Sequence, residues 1–386
     1  MKILHIITSL YAGGAQIMLY KLLANNDRMR LDSTVISLMD SAEMGEKIES
    51  LGVDVHSLGM KRGTVSLKKI LYLTQLIRKI NPDLIQTWMY HSDLLGSLAA
   101  LLAAVRVPVI WGIHHSNLDP QYNDPTTLKV AKLCAHISRF MPARIISCSQ
   151  AAKETHRQIG YYQEKMVVIP NGFDLCEFHP DQEAREVVRE NLHINSETIL
   201  IGMMARFDPQ KDHKNFIQAA SILLQEHQNV EFVLCGSGMD QQNAALMEWI
   251  REVDIEPKVH LLGHRKDVSR ILAALDIATL SSCGEAFPLV VGEAMACGIP
   301  CVVTDVGDSA LLVGDTGIIV PPQNPLALAE GWSMLIDAGA EYRKKTGNDA
   351  RARISSTFDI ADIAVRYGEV YKEALYGPLT DPWPCE

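Results

Sequence analysis

Short runs of β-branched and aliphatic residues alternate along the chain with stretches in which apolar positions recur at helical spacing. In the first part, "KILHIITS", "DSTVISL", "DLIQTWM", "VPVIWGIH" and "RIISCS" read as strands, and residues 15–25 and 65–80 as helices. A turn-rich passage, "IPNGFDLCEFHPDQ", interrupts the alternation at residues 169–182. It then resumes with strands at "TILIGMMARF", "VEFVLCG", "KVHLLG", "IATLSS", "IPCVVTD" and "TGIIV", and helices at "NFIQAASILLQEH", "NAALMEWIREV", "VSRILAAL" and "PLVVGEAMACG". Repeated strand–helix wiring predicts an α/β fold of two Rossmann-like, doubly wound parallel sheets. The expected boundaries are a first domain over 1–170, a linker over 171–182, a second domain over 183–358, and a closing segment over 359–386. The amphipathic pattern "DIADIAVRYGEVYKEALY" in that last segment predicts a helix that returns to the first domain.

Composition agrees with this division. A chain of 386 residues, 47% hydrophobic, has material for two cores, since single cores stop growing near ~250–300 residues. Aromatics make up only 6%, so Ala, Leu, Ile and Val supply the apolar mass, as parallel sheets buried between helices require. The apolar run at the start is too short for the core of a signal peptide, and "LLGSLAALLAAV" (94–105) falls short of the ~20 residues a membrane span needs. Eight cysteines at positions 134, 148, 176, 235, 283, 297, 301 and 386 form no C-x-x-C pair and have no histidine at zinc-ligand spacing. Cys297 and Cys301 are separated by Gly298 and Pro300, which read as a helix end and a strand start. Free thiols in a reducing cytoplasm, with no metal site, are the expectation.

The net charge of −10 argues against general nucleic-acid binding and hides an asymmetry. Residues 1–170 carry 19 Lys and Arg against 13 Asp and Glu, which leaves 17 against 33 of the chain's 36 and 46 for the remainder. Residues 60–80, "MKRGTVSLKKILYLTQLIRKI", hold six basic residues and no acid. They are either a solvated helix face or a surface for anionic lipid or an anionic acceptor.

Ligands of open parallel sheets bind beyond the carboxyl ends of the strands, so strand-to-helix turns are the places to look for chemistry. In "SLYAGGAQ", Gly13 and Gly14 can bring bare backbone N–H groups against a phosphate, although the G-x-G-x-x-G spacing of a dinucleotide site is missing and a plain helix-start turn is the alternative. "ARFDPQKDHKN" sets Arg206 and Lys211 beside a helix start, which suits a diphosphate; the same cations could simply pair with Asp208 or Asp212. His114 and His115 end the strand "VIWGIHHS", where a histidine can donate to a sugar hydroxyl or be a satisfied structural group. "CGSG" (235–238) reads as a tight turn, and "LLGHRKD" (261–267) as a strand-end loop able to meet a base edge.

The fourth turn, "GEAFPLVVGEAMACGIPCVV", carries Glu285 and Glu293 in an otherwise apolar run. Pro288 fits a first helical position and Gly298 the residue past the end, predicting a helix over 288–297 with Glu285 ahead of it and Glu293 inside it. Eight helical steps would part the two backbones by ~12 Å. That exceeds the ~5–9.5 Å between the carboxyl groups of glycosidase pairs and disfavours a hydrolytic dyad. Either each carboxylate accepts hydrogen bonds from a different part of a polyhydroxylated ligand, or Glu285 merely favours the helix start and Glu293 lies exposed.

Taken together, "EAFPLVVGE" (an E-x7-E spacing), "AMACGIPCVVTDVG", "GGAQ", "IPNGFD", "ARFDPQKDHKNFIQA" and "CGSG" resemble, in order and distance over nearly the whole chain, glycosyltransferase family 4. The resemblance implies the GT-B fold, two Rossmann-like domains facing across a cleft, and retaining, metal-independent sugar transfer without a cofactor, as in bacterial polysaccharide and cell-envelope transferases. It implies that Arg206 and Lys211 grip the donor diphosphate, Glu285 the sugar hydroxyls, Glu293 the ribose, and the loop with His264 and Arg265 the base. Backbone amides around Phe287, Pro288 and Leu289 would add contacts, Gly13 and Gly14 would close over the phosphates, and His114 or the adjacent His115 would be the active-site histidine. Many relatives have Glu where this chain has Gln16, and Gly where it has Ala286; both differences touch detail at the sugar. The expected partners are a nucleotide-sugar donor, UDP-glucose foremost, and a saccharide or lipid-linked acceptor. The expected location is the cytoplasm, peripheral at the inner membrane face through residues 60–80. An epimerase or phosphorylase of the same fold, or a non-catalytic nucleotide-sugar binder, is the alternative.

Overall fold

A computed structural model describes residues 1–26, 31–61, 63–64 and 66–377. Arg62, within the basic segment, and the tail beyond Gly377 lie outside the described residues. The chain forms two compact units, one of Met1–Gly172 with the chain from Ile360 on, the other of Phe173–Asp359.

In the first unit, β1 (Lys2–Ile7), β2 (Asp32–Ser37), β3 (Asp54–Ser57), β4 (Leu84–Trp88), β5 (Val109–Ile113), β6 (Arg144–Ser147) and β7 (Met166–Val168) form one sheet. Their order is β3-β2-β1-β4-β5-β6-β7, and each pair is parallel. Both faces are covered. One carries the helices Leu67–Ile80, Tyr90–Ala103 and Pro125–Ile137 over Leu4, Ile6, Ile85 and Trp111. The other carries Gly14–Leu23, Ala42–Glu49 and the returning helix Ile360–Tyr376 over Ile3, Ile7, Trp88 and Ile110. Ile360, Ile363, Tyr367 and Tyr371 are buried there, so the end of the chain completes the first core. Its docking depends on Gly172, where an added Cβ would lie 2.7 Å from Ile360 Cα.

The strands β3 and β7 carry no sequence signal. All but one of the β3 residues are exposed, and β7 has only three, so neither edge shows the apolar run of a central strand.

The second unit holds β8 (Ile199–Met204), β9 (Val230–Cys235), β10 (Val259–Leu261), β11 (Ile277–Leu280), β12 (Cys301–Thr304) and β13 (Gly317–Val320). They too are parallel, in the order β10-β9-β8-β11-β12-β13. Phe216, Phe232 and Trp332 pack together in its core, and the Trp332 indole N–H donates to Thr279 Oγ1 at 3.0 Å. The unit is clasped where the chain enters and leaves, Phe173 N–H donating to Phe358 O at 2.9 Å.

Strand order fixes where loops converge. In both sheets the strand order reverses once, between β1 and β4 in the first unit and between β8 and β11 in the second. Loops after adjacent strands at such a point diverge to opposite faces and leave a crevice at the carboxyl ends.

Candidate active site

The second unit's switch point lies between the loops after β8 and β11. After β8 the chain makes a 3₁₀ turn, Pro209–Lys211, started by Asp208 accepting from the Gln210 amide at 3.0 Å. Asp212 follows in the left-handed region (φ 49°, ψ 55°) and caps the helix His213–Leu223 through the Asn215 amide. The turn is stapled from the neighbouring strand. Ser281 Oγ donates to the carbonyls of Lys211 (2.8 Å) or Asp212 (3.1 Å), and Cys283 N–H to Gln210 O (2.8 Å). The result is contact between Lys211 Nζ and Glu285 Oε1, 74 positions apart in sequence, with Ser282 Oγ donating to the same oxygen at 2.8 Å. Lys211 and Glu285 side chains keep only 21% and 13% of their surface exposed.

Arg206 sits on the same loop but pairs with Asp208, Nη2 at 2.9 Å and Nε at 3.1 Å, and its side chain is 60% exposed. Burial alone would raise the Asp208 carboxyl; the Gln210 amide and the Arg206 guanidinium outweigh it and hold it below the usual carboxylate range. The Asp208 and Asp212 alternatives thus divide: the first takes Arg206, while Lys211 goes to Glu285.

Glu285 precedes the helix Leu289–Ala296, and Pro288 is its flanking residue rather than its first. At φ −75°, ψ 103° the backbone of Pro288 is extended, so the helix starts one position later than the proline suggests. Among the described residues no side chain caps this helix, which leaves the amides at Leu289 and beyond as donors. The Phe287 side chain is buried between Phe173 and Phe358 (centroids 6.2 and 5.7 Å), so only its backbone can face a ligand. The Glu285 loop also rests on Gly307 (φ 57°), where a Cβ would lie 2.1 Å from Glu285 O. Glu293 is half-buried within the helix.

His264 and Arg265 follow β10 at the sheet edge, both exposed, with Arg265 held by Asp267 (2.7 and 2.8 Å). Phe207 N–H donates to Ser237 O at 2.7 Å and Gly236 N–H to Gly263 O at 2.9 Å, so backbone bonds link the loops after β8, β9 and β10.

In the first unit, Gly13 is extended (φ −173°, ψ 171°) and Gly14 begins the helix Gly14–Leu23, again without a side-chain cap. The loop is steadied by Gln16, whose Nε2 donates to Ser9 O at 2.9 Å. His114 follows β5 and stacks on Trp88 at 5.0 Å and 24°. Both its ring nitrogens are buried without a hydrogen-bond partner of normal geometry among the described residues, and burial lowers its pKa to about 4. Asn171 opposes that shift, although its Oδ1 also lacks a hydrogen bond of normal geometry. The imidazole is therefore neutral at pH 7. His115 is engaged differently, Nε2 lying 2.8 Å from Asn123 Oδ1.

Residues 12–177 match the family model "Glycosyltransferase Family 4", and residues 198–338 match "Glycosyl transferases group 1". The chain belongs to glycosyltransferase family 4. It is 27% identical over 353 residues to the N,N'-diacetylbacillosaminyl-diphospho-undecaprenol alpha-1,3-N-acetylgalactosaminyltransferase of Campylobacter jejuni, covering 88% of this chain and 91% of that one. It is 28% identical over 250 residues to the UDP-Gal:alpha-D-GlcNAc-diphosphoundecaprenol alpha-1,3-galactosyltransferase of Escherichia coli, 64% of each. Among solved structures, Anabaena Alr3699/HepE in complex with UDP and glucose superposes with a TM-score of 0.84 at 25% identity, over 96% of this chain and 99% of that one. The fold is the α/β GT-B class of such transferases.

Within the family 4 framework, several residues carry no sequence signal. Ser281 props carbonyls about seventy positions away in sequence, at Lys211 and Asp212, and Ser282 props the Glu285 carboxylate three positions on. Near Lys211 in sequence, Gln210 Nε2, both His213 nitrogens and both polar atoms of the Asn215 side chain are buried without hydrogen-bond partners among the described residues. The His213 ring stacks on Phe207 at 5.6 Å, and burial lowers its pKa to about 4. Among the described residues no group of three or more His, Cys, Asp or Glu is arranged to hold a metal ion. The arrangement offers a cation and a carboxylate in contact, an arginine on the same loop, and helix amides. That set can bind an anion and hydroxyls side by side.

Proposed function

We propose that this glycosyltransferase transfers a hexose, glucose as first choice, with retention from a UDP-linked donor to a lipid-linked saccharide in cell-envelope assembly. The observation that carries the reading is the Lys211–Glu285 contact at the second unit's switch point, since a donor presents diphosphate and sugar hydroxyls next to one another. On this reading Lys211 and Arg206 take the diphosphate, Glu285 the sugar hydroxyls, and Glu293 the ribose. The loop of His264 and Arg265 takes the base, and the amides around Phe287, Pro288 and Leu289 add donors. Gly13 and Gly14 offer further amides to the phosphates, and neutral His114 hydrogen-bonds a sugar hydroxyl.

In the reaction the bond from the anomeric carbon to the UDP oxygen breaks while an acceptor hydroxyl bonds to the same face. The hydroxyl proton passes to the departing phosphate, so no side-chain nucleophile is needed. Arg206 and Lys211 balance the charge that develops on UDP, and the reading calls on neither metal nor cofactor.

UDP as carrier is supported by the Anabaena complexes with UDP and UDP-glucose and by the UDP-Gal donor of the E. coli relative. A diphosphate-linked lipid acceptor is supported by the two undecaprenol-linked acceptors. No described helix is long and apolar enough to cross a membrane. The helix Leu67–Ile80 instead presents Leu67, Leu71 and Tyr72 to solvent beside Lys68, Arg78 and Lys79, a face suited to an anionic membrane surface.

The test incubates the protein with UDP-glucose, UDP-galactose, UDP-N-acetylgalactosamine or UDP-N-acetylglucosamine and saccharide-diphosphoundecaprenol, and reads the new linkage by NMR. An α-linked product made fastest from UDP-glucose is expected. A β-linkage would overturn retention, preference for another sugar would overturn glucose, and isomerised donor without transfer would overturn the activity.

A further inference from the structure

Among the described residues neither ring nitrogen of His114 makes a hydrogen bond of normal geometry, and only the Asn171 side chain approaches as a hydrogen-bonding group, so ring contact is the main constraint on the plane of its imidazole. That contact is the near-parallel indole of Trp88, itself completely buried. Trp88 is held in turn by a bond from Nε1–H to His5 Nδ1 at 3.3 Å and by a second near-parallel ring, Tyr367, at 6.2 Å and 14°. Tyr367 lies 253 positions from His114, on the returning helix Ile360–Tyr376, and is braced by Tyr371 at 6.2 Å in an edge-on arrangement. The same helix begins against Gly172, next to Asn171, the other side chain that acts on His114.

A histidine that must aim a nitrogen at a hydroxyl is normally oriented by a hydrogen bond to its second nitrogen. Here stacked rings supplement the loosely placed Asn171, at separations typical of offset aromatic stacking. We propose that Tyr367 is a positioning residue for His114: acting through the Trp88 indole, it fixes the plane in which the imidazole meets the substrate. The proposal rests on the reading of His114 as a substrate-binding group, and it assigns the returning helix a part in the reaction beyond closing the first core.

The experiment compares Tyr367→Leu, Tyr367→Phe and His114→Gln in the full-length protein, reading steady-state transfer from UDP-glucose and the ¹H–¹³C NMR signals of the histidine rings. His114→Gln identifies the His114 signal, which the Trp88 ring current displaces. Tyr367→Leu should move that signal and lower kcat roughly 2- to 10-fold, the range that one aromatic contact supports, with donor KM within about twofold. Tyr367→Phe should restore both, and Tyr367→Leu should cost nothing more in the His114→Gln background. If Tyr367→Leu does not fold, Tyr367→Met, which fills similar volume without a ring and leaves the Trp88 ring current in place, is expected to give the same displacement and loss.

An unmoved His114 signal in a folded Tyr367→Leu protein would overturn the proposal. So would failure of phenylalanine to rescue, or an equal loss without His114. Full turnover by His114→Gln alone would instead overturn the reading on which the proposal rests, and the NMR signal distinguishes the two failures because it needs no substrate.

Discussion

Replacing Glu285 by Gln separates two properties that most site substitutions would damage together. Glu285 Oε1 receives both Lys211 Nζ and Ser282 Oγ, so in the free protein the carboxylate holds the lysine that a diphosphate would need. Two unit charges ~4 Å apart interact by about 2–4 kcal/mol at an effective dielectric of ~20–40. The pair's exposures of 21% and 13% call for a discount for solvent screening. Removing the carboxylate should therefore favour UDP by about 1–2 kcal/mol, which is roughly 5- to 30-fold tighter binding. Transfer should go the other way. Losing a charged acceptor for a sugar hydroxyl costs about 1.5–3 kcal/mol, or roughly 10- to 100-fold in rate. Calorimetric titration with UDP and initial rates with UDP-glucose, both at one fixed salt concentration, measure the two effects. Tighter UDP with slower transfer is the expected pair of results. UDP bound equally or more weakly by a folded Glu285→Gln protein would refute the reasoning, because the carboxylate would then not compete for Lys211.

Three other outcomes follow from the same geometry. Ser281→Ala removes the hydroxyl that staples the Lys211 turn; a loss of about 1–2 kcal/mol should lower the melting temperature by roughly 2–6 °C and raise donor KM several-fold, and unchanged values of both would deny the staple its role. His5, His156 and His213 are buried, and burial lowers their pKa values to about 3, about 4 and about 4. Unfolded chain therefore takes up protons first as pH falls below ~6.5, so the stability these neutral rings contribute is complete above that pH and is lost on the way to pH ~4, or ~3 for His5, by roughly 2 kcal/mol each at pH 5. Melting scans should show the decline between pH 7 and 5, and a flat profile would contradict it. Finally, Lys68→Glu combined with Leu71→Ser should cut flotation with vesicles rich in anionic phospholipid roughly 30-fold or more, since the charge changes by two at about 1 kcal/mol per charge near the surface; undiminished flotation would remove that helix from the membrane account.

The alternating apolar runs of the sequence disclose both sheets because parallel strands are buried on both faces and leave continuous hydrophobic stretches, as in β8 and β12. The edge strands β3 and β7 escape for the converse reason. At the site, glycines, cations and carboxylates mark the turns that matter, but spacing cannot say that Lys211 meets Glu285 while Arg206 turns to Asp208. That outcome depends on β8 and β11 being neighbours. The serines at 281 and 282 are equally invisible, since a hydroxyl announces nothing until its acceptor is in place. Tyr367 reads as one apolar position among several on an amphipathic helix, and only the folded chain sets it against the indole beneath His114.

The most direct measurement is a crystal structure of the protein with intact UDP-glucose. Lys211 Nζ and the Arg206 guanidinium, released from Glu285 and Asp208, should lie within ~3 Å of pyrophosphate oxygens, with Glu285 on the sugar hydroxyls. A pyrophosphate bound elsewhere, with the Lys211–Glu285 and Arg206–Asp208 pairs intact, would contradict the account.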